Sequence, residues 1–279
     1  MPSLALTDLR SGIVVLPADA AQPPLKLVVP PGKVASQPYG VAHLSDGRLA
    51  FADRANHRVV AIGLDGADFA SFGTLGSGVG ELRFPSGVAT GPGDRIYVAD
   101  TGNHRIVAVD SMSADGWESY GIKGGPTGDD PLAIGRFAEP IAVVADAAGV
   151  IVADPGAARV VRLSTLDDDG WSATAAGEVR GPAALALRPN GAIVVADLIA
   201  RQLAFLTTPS DGVTETFADP LLAGPMAVAA VSDERLIVCV VPLGALVVVD
   251  RSSGVWSTFA DRSLEKLGVR RPTSICLLP

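Results

Sequence analysis

Short apolar runs recur along the whole chain, separated by glycine, proline, aspartate and asparagine. The clearest stretch reads as four of them: Ser86 to Thr90, Arg95 to Ala99, Arg105 to Asp110 and Trp117 to Gly121. Gly-Pro-Gly-Asp, Thr-Gly-Asn-His and Ala-Asp-Gly stand between them. Runs this short, joined by residues suited to tight turns, predict a meander of four strands. Several of the runs do not alternate. Val150-Ile-Val-Ala and Ala192-Ile-Val-Val-Ala are apolar throughout, which predicts strands covered on both faces rather than on one.

The meander repeats. A proline, a strand of small apolar residues, a turn and a β-rich run ending in Ala-Asp appear as Pro38 to Asp53 and again as Pro85 to Asp100. Weaker copies start at Pro140 (reaching Asp154), Pro182 (reaching Asp197) and Pro225, and a last one starts at Pro272, seven residues before the chain stops. The prolines are spaced 47, 55, 42, 43 and 47 residues apart, a period that belongs to four-stranded propeller blades. Asp53, Asp100 and Asp197 each fall 15 residues after their proline. Counted from Pro272 through Pro279 and on into Met1, the fifteenth position is Asp8. Leu4 to Asp8 therefore reads as the second strand of a blade whose first strand is Thr273 to Leu278. Ser11 to Leu16 supplies its third strand and Leu25 to Val29 its fourth. A blade shared by both ends removes the open edges that an unclosed ring would leave. The expected fold is all-β: one six-bladed β-propeller over residues 1–279, with repeats starting near 38, 85, 140, 182, 225 and 272, the last continuing into 1–37.

The best copies read Gly80-Glu-Leu-Arg-Phe-Pro-Ser-Gly-Val-Ala and Ile96-Tyr-Val-Ala-Asp-Thr-Gly-Asn-His-Arg-Ile-Val-Ala-Val, and Asp53-Arg-Ala-Asn-His-Arg-Val-Val repeats their corner. These resemble the NHL repeat, with its Pro-x-Gly-Val strand and Asn-His-Arg corner. The resemblance implies a six-bladed ring and a range of functions. NHL propellers include RNA-binding domains, protein-binding platforms, extracellular sensors and a few enzymes such as the peptide-amidating lyase, and similar rings include metal-dependent lactonases.

Composition narrows that range. The formal net charge is -8 and the pI is near 4.8. An acid surface repels phosphate backbones and anionic lipid, so nucleic acid and membranes are disfavoured partners. Cys239 and Cys276 form no disulfide framework and no zinc spacing, and both sit in apolar runs as expected of buried free thiols. Residues 1–8 lack the basic and apolar regions of a signal peptide, and Leu236 to Val249 is interrupted by Pro242 and Gly244. The expectation is a soluble, cytoplasmic protein without membrane insertion.

Candidate chemistry is sparse. The only histidines are His43, His57 and His104. His57 and His104 share one repeat position in adjacent blades, too far apart around a ring to hold one zinc ion. Asp8, Asp53, Asp100, Asp154 and Asp197 end the second strands, with Arg58, Arg105 and Arg159 five residues later and Arg201 four after Asp197. A group repeated around a ring serves each blade, so turn caps and Asp–Arg pairs are expected there. The first strands, which should line the central channel, contain no carboxylate for a hard cation. No Gly-x-Ser-x-Gly elbow is present. The glycine-rich Gly73 to Gly80 reads as a flexible connection, Gly121 to Glu139 as the longest loop, and Asp167 to Gly170 as a solvated turn. The leading expectation is a non-catalytic scaffold with no metal and no cofactor. A protein partner would meet Arg54, Asn56, His57, Thr101, Asn103, His104, Asp129, Asp130 and Arg136. A lactonase- or lyase-type enzyme with loop-borne metal ligands is the alternative, and an RNA-binding domain the third reading.

Overall fold

The computed structural model describes residues 2–9, 12–18, 22–29, 33, 35–123, 133–167, 169–175, 177–241, 244–258, 269 and 272–278. Six four-stranded antiparallel sheets follow one another around a ring. Blade I consists of Pro38–His43, Leu49–Asp53, Arg58–Ile62 and Ala70–Phe72. Blade II is Val88–Thr90, Ile96–Asp100, Arg105–Val109 and Glu118–Tyr120, and blade III is Ala142–Asp146, Gly149–Asp154, Arg159–Leu163 and Trp171–Ala173. Blade IV is Pro182–Leu187, Ile193–Asp197, Gln202–Leu206 and Val213–Ala218, and blade V is Pro225–Ala230, Arg235–Val240, Ala245–Asp250 and Val255–Thr258. Among the described residues the only helices are short 3-10 turns, and none is long and apolar enough to cross a membrane.

Both ends of the chain build blade VI, in the order Pro272–Leu278, Ser3–Asp8, Gly12–Leu16 and Leu25–Leu27. Ala5 lies opposite Cys276 and Leu6 opposite Ile275 in its ladder. The Thr7 and Thr273 hydroxyls meet at 3.0 Å, and Thr273 Oγ1 donates to the Pro38 carbonyl at 3.0 Å, tying the closing blade to blade I.

The apolar side chains form six clusters, one at each interface between neighbouring blades. Blade I shows how an unbroken apolar strand feeds two of them. Leu49 and Phe51 pack toward blade VI, while Ala50 and Ala52 pack toward blade II. Each strand face thus has its own neighbour, which is why alternation is missing from the sequence. At the centre, the glycine of Pro-x-Gly-Val lets adjacent first strands approach. A Cβ on Gly40 would lie 2.6 Å from Val88 N and 2.7 Å from Ser86 O, and the Gly40 amide donates to that carbonyl at 2.7 Å. Ala142, Ala184, Ala227 and Ser274 hold the same position in later blades, all of them small residues.

Two expectations need correction. The Gly73 to Gly80 segment is ordered rather than slack. Thr74–Leu75 pairs in parallel with Glu81–Leu82, the Glu81 carboxylate accepts the Ser77 and Gly78 amides, and Arg105 donates to the Ser77 and Gly78 carbonyls. Cys276 is not fully buried like Cys239. It is half-buried and lines the channel.

Candidate binding face

In every blade the first strand runs along the channel from its proline and the second returns antiparallel to it, so second strands end on the same side of the ring as first strands begin. The Asn-His-Arg corners and the linkers between blades share that side, called here the corner face. The hairpins joining strands one to two and three to four make the opposite, hairpin face.

The second-strand aspartates organise the corner face. Asp8, Asp53, Asp100, Asp154 and Asp197 are all fully buried. Asp53 accepts from the Ser36 amide at 2.6 Å, from Asn56 Nδ2 and from Arg58 Nε at 2.7 Å. Asp100 repeats the set with the Arg83 amide at 2.7 Å and with Asn103 and Arg105, each at 2.8 Å. Asp154 takes the Ala138 and Glu139 amides and pairs with Arg159 at 3.4 Å. Asp197 takes the Arg180, Gly181 and Ala200 amides. Each of these four carboxylates therefore clamps the linker that enters its own blade to the corner of that blade. Burial pushes Asp100 and Asp154 above the usual carboxylate range, against the pull of the amides and guanidiniums bonded to them. Arg201 departs from the expected Asp–Arg pairing. It occupies the left-handed position at φ 56, where His57 and His104 sit in their blades, and Gln202 stands opposite Asp197 instead.

The remaining expected contacts separate by depth. His57 Nδ1 accepts the Phe84 amide at 3.0 Å, its ring edge-on to Phe84, and His104 Nδ1 meets the Ala138 carbonyl at 2.8 Å. Both join one blade's corner to the linker entering the next. Thr101 is buried and donates to Pro140 O at 2.7 Å, and Asn103 also donates to Gly76 O. Arg54 donates to Phe84 O at 3.0 Å and to Ser86 Oγ, and its guanidinium lies over the Tyr39 and Phe84 rings. Asn56 and Arg136 are exposed. Asp129 and Asp130 lie outside the described residues.

The central channel encloses about 340 Å³ and is lined by the six first strands. Tyr39 stands at its corner-face mouth and His43, the last residue of its strand, at the other end. Burial raises the Tyr39 phenol and pushes the Cys276 thiol up to about 12. Among the described residues no three His, Cys, Asp or Glu side chains are grouped to hold a metal ion.

One feature of this face was not anticipated from sequence. Among the described residues eleven large apolar side chains are exposed, and eight belong to linkers or corners of this face: Leu75, Val79, Phe84, Ile122, Ile134, Leu198, Ile199 and Leu221. Leu25, Leu64 and Val28, whose carbonyl lies beside Gly66 in a hairpin of blade I, lie elsewhere. The blade II corner sits between two of the segments that carry them, since Gly102 N donates to Arg83 O on one side and His104 meets Ala138 on the other. Leu75 and Val79 interrupt a glycine- and serine-rich connection, and that interruption was the available sequence signal.

The family model for the NHL repeat matches residues 82–108. No curated protein matches the chain. Among solved structures, a chain of a nidogen/laminin complex superposes with a TM-score of 0.75 at 15% identity, covering 99% of this chain and 97% of that one. Virginiamycin B lyase from Staphylococcus aureus gives 0.66 at 16% identity, covering 99% and 88%, and a streptogramin B lyase gives 0.56 at 12%, covering 93% and 88%. Identities this low speak for the fold alone. Blade count and the shared closing blade agree with the repeat match: the chain is a six-bladed β-propeller that carries an NHL repeat at residues 82–108.

Proposed function

We propose that the ring is a non-catalytic platform that holds a protein partner on its corner face. The observation that carries this reading is the gathering of exposed apolar side chains on that face. Apolar surface left in water is unfavourable, and a face where it accumulates is one that a partner covers. The side chains sit on linkers pinned by the buried aspartates, so the surface is held in shape before a partner arrives, and binding then costs little ordering. The fold is shared with a chain solved in a nidogen/laminin complex. Within this reading Arg54, Asn56 and Arg136 are contacts, and His57, Thr101, Asn103 and His104 hold the contact surface in place.

The test compares two sets of variants in affinity capture. Leu75→Asp with Val79→Asp, and Arg54→Glu with Arg136→Glu, should lose the captured protein. Asp46→Lys with Asp94→Lys, on the hairpin face, should keep it. Undiminished capture by the corner-face variants would refute the platform reading. A second reading, a lyase-type enzyme with loop-borne ligands, draws on the likeness to the two lyases. Stoichiometric zinc or calcium in the purified chain would favour it.

A further inference from the structure

The arginines divide by face. On the hairpin face every described arginine reaches a carboxylate: Arg48 with Asp46, Arg95 with Glu118, Arg162 with Asp146, Arg188 with Glu234, Arg235 with Asp250 and Arg251 with Glu215. On the corner face Arg58, Arg105 and Arg159 pair with the buried aspartates. The described arginines left without an ion pair are Arg54, Arg83, Arg136, Arg180 and Arg201, and all five belong to the corner face. Arg83, Arg136, Arg180 and Arg201 are exposed.

Each of these guanidiniums stands beside exposed apolar surface. Arg83 precedes Phe84, and Arg54 lies over the Phe84 ring. Arg136 pairs with Ile122 in a two-residue parallel ladder. Arg180 precedes Gly181, whose position abuts the Ile199 side chain, and Arg201 follows Ile199 by two residues. The unit of unpaired guanidinium plus apolar side chain thus recurs across the entries of blades II, III and IV. In a chain of net charge -8, arginines left without an ion pair on a single face are a directional feature of the surface.

We infer that the partner docks through a segment in which carboxylates alternate with large apolar residues. This rests on the platform reading and adds the chemistry of the partner. Guanidiniums present a planar fork of donors that matches carboxylate, and like charges brought against them are rejected. Phosphate would also suit the fork. The exposed apolar residues here are mainly aliphatic, with Phe84 the one aromatic among them, whereas single-stranded nucleic acid is held by stacking its bases on several aromatics. An acidic apolar peptide is the ligand that fits both halves of the surface.

The experiment measures fluorescence anisotropy of the full chain with three labelled probes of equal length. One is a peptide of repeating Glu-Glu-Leu-Phe, one is its Lys-Lys-Leu-Phe counterpart, and one is a uridine oligonucleotide. The acidic peptide should bind at low salt and weaken as salt rises, and the lysine peptide should not bind. Arg83→Glu, Arg136→Glu and Arg180→Glu together should weaken the acidic peptide by about tenfold or more, a sum of modest exposed ion pairs. The same variant should gain binding to the lysine peptide. All three side chains are exposed, so the ring should survive the changes; Arg83→Gln, Arg136→Gln and Arg180→Gln, which remove charge without reversing it, provide a milder second set. Equal or tighter binding of the lysine peptide, no effect of either set, or no binding of the acidic peptide would each overturn the inference. Preferred binding of the oligonucleotide would replace it with nucleic-acid recognition. If these results fail while partner capture still depends on Leu75 and Val79, only the charge inference falls. If capture is also indifferent to the corner face, the platform reading falls with it.

Discussion

Ring closure can be locked covalently with one substitution. Ala5 and Cys276 are direct partners in the ladder that joins the chain ends, and both side chains face the same apolar cluster between blades VI and I. Facing residues in antiparallel strands have Cα atoms about 4.5–5.5 Å apart, inside the range a disulfide spans. Ala5→Cys should therefore form a bridge to Cys276 on mild oxidation of the folded protein. The bridge encloses residues 5–276, nearly the whole chain. Loop-closure entropy for a segment of that length gives a stabilisation of about 5–6 kcal/mol as an upper figure. For a ring of this size that corresponds to a rise of roughly 10–15 °C in the thermal midpoint. The reduced variant should melt slightly below the parent, because Ala5 is fully buried and the added sulfur must be accommodated. The assay is a pair of thermal melts, oxidised and reduced, with the bridge verified by mass spectrometry of peptides from the two termini. Failure to oxidise in the native state, or a bridge that forms only after unfolding, would refute the pairing.

Further outcomes follow from the corner network and the ring centre. Asp100→Ala removes the carboxylate paired with Arg105, which keeps only its backbone carbonyl acceptors, takes one of the two acceptors of Asn103, and leaves the Arg83 amide without its carboxylate. It should cost about 3–5 kcal/mol in urea unfolding, with Asp100→Asn costing less because one acceptor oxygen remains. A loss near zero would mean that the clamp does not hold the linker. Gly87→Val places a Cβ 2.9 Å from the Ile141 carbonyl oxygen and the Val143 amide of the next first strand, so it should destabilise by about 1–3 kcal/mol or more; a neutral result would show that the centre is looser than described. In a carbon-13 titration Asp100 and Asp154 should protonate ahead of Asp46 and Asp146 on acidification, since burial raises the first pair and arginine hydrogen bonds hold the second pair low. The folded ring then takes up protons at Asp100 and Asp154 before the unfolded chain does, so their pKa shifts favour folding as pH falls. Asp46 and Asp146 contribute above the unfolded carboxylate range and lose that contribution as pH drops through their lowered values. The opposite titration order would contradict the burial assigned to these groups.

The fold was legible because its physics repeats. Proline starts, small residues at the centre and the Ala-Asp ends recur in register, and the count from Pro272 through the chain end to Asp8 placed the closing blade. The roles of the corner residues were only partly legible. Asp53 with Arg58 and Asp100 with Arg105 could be paired from their spacing within one blade. The partners of His57 and His104 could not, because the Phe84 amide and the Ala138 carbonyl lie on linkers about thirty residues onward. The ordering of Gly73 to Gly80 was hidden for the same reason, since Arg105 supplies much of it from the next blade. The apolar corner face was hidden differently. Leu75, Val79, Ile134 and Ile199 are scattered in sequence, and only the ring places them on one side.

Hydrogen–deuterium exchange of the chain with and without its captured partner tests the platform reading most directly. The account predicts slowed exchange in residues 74–84, 133–137 and 198–201, all on the corner face, with the hairpins at 44–48, 91–95 and 188–192 unchanged. Protection confined to those hairpins would contradict it.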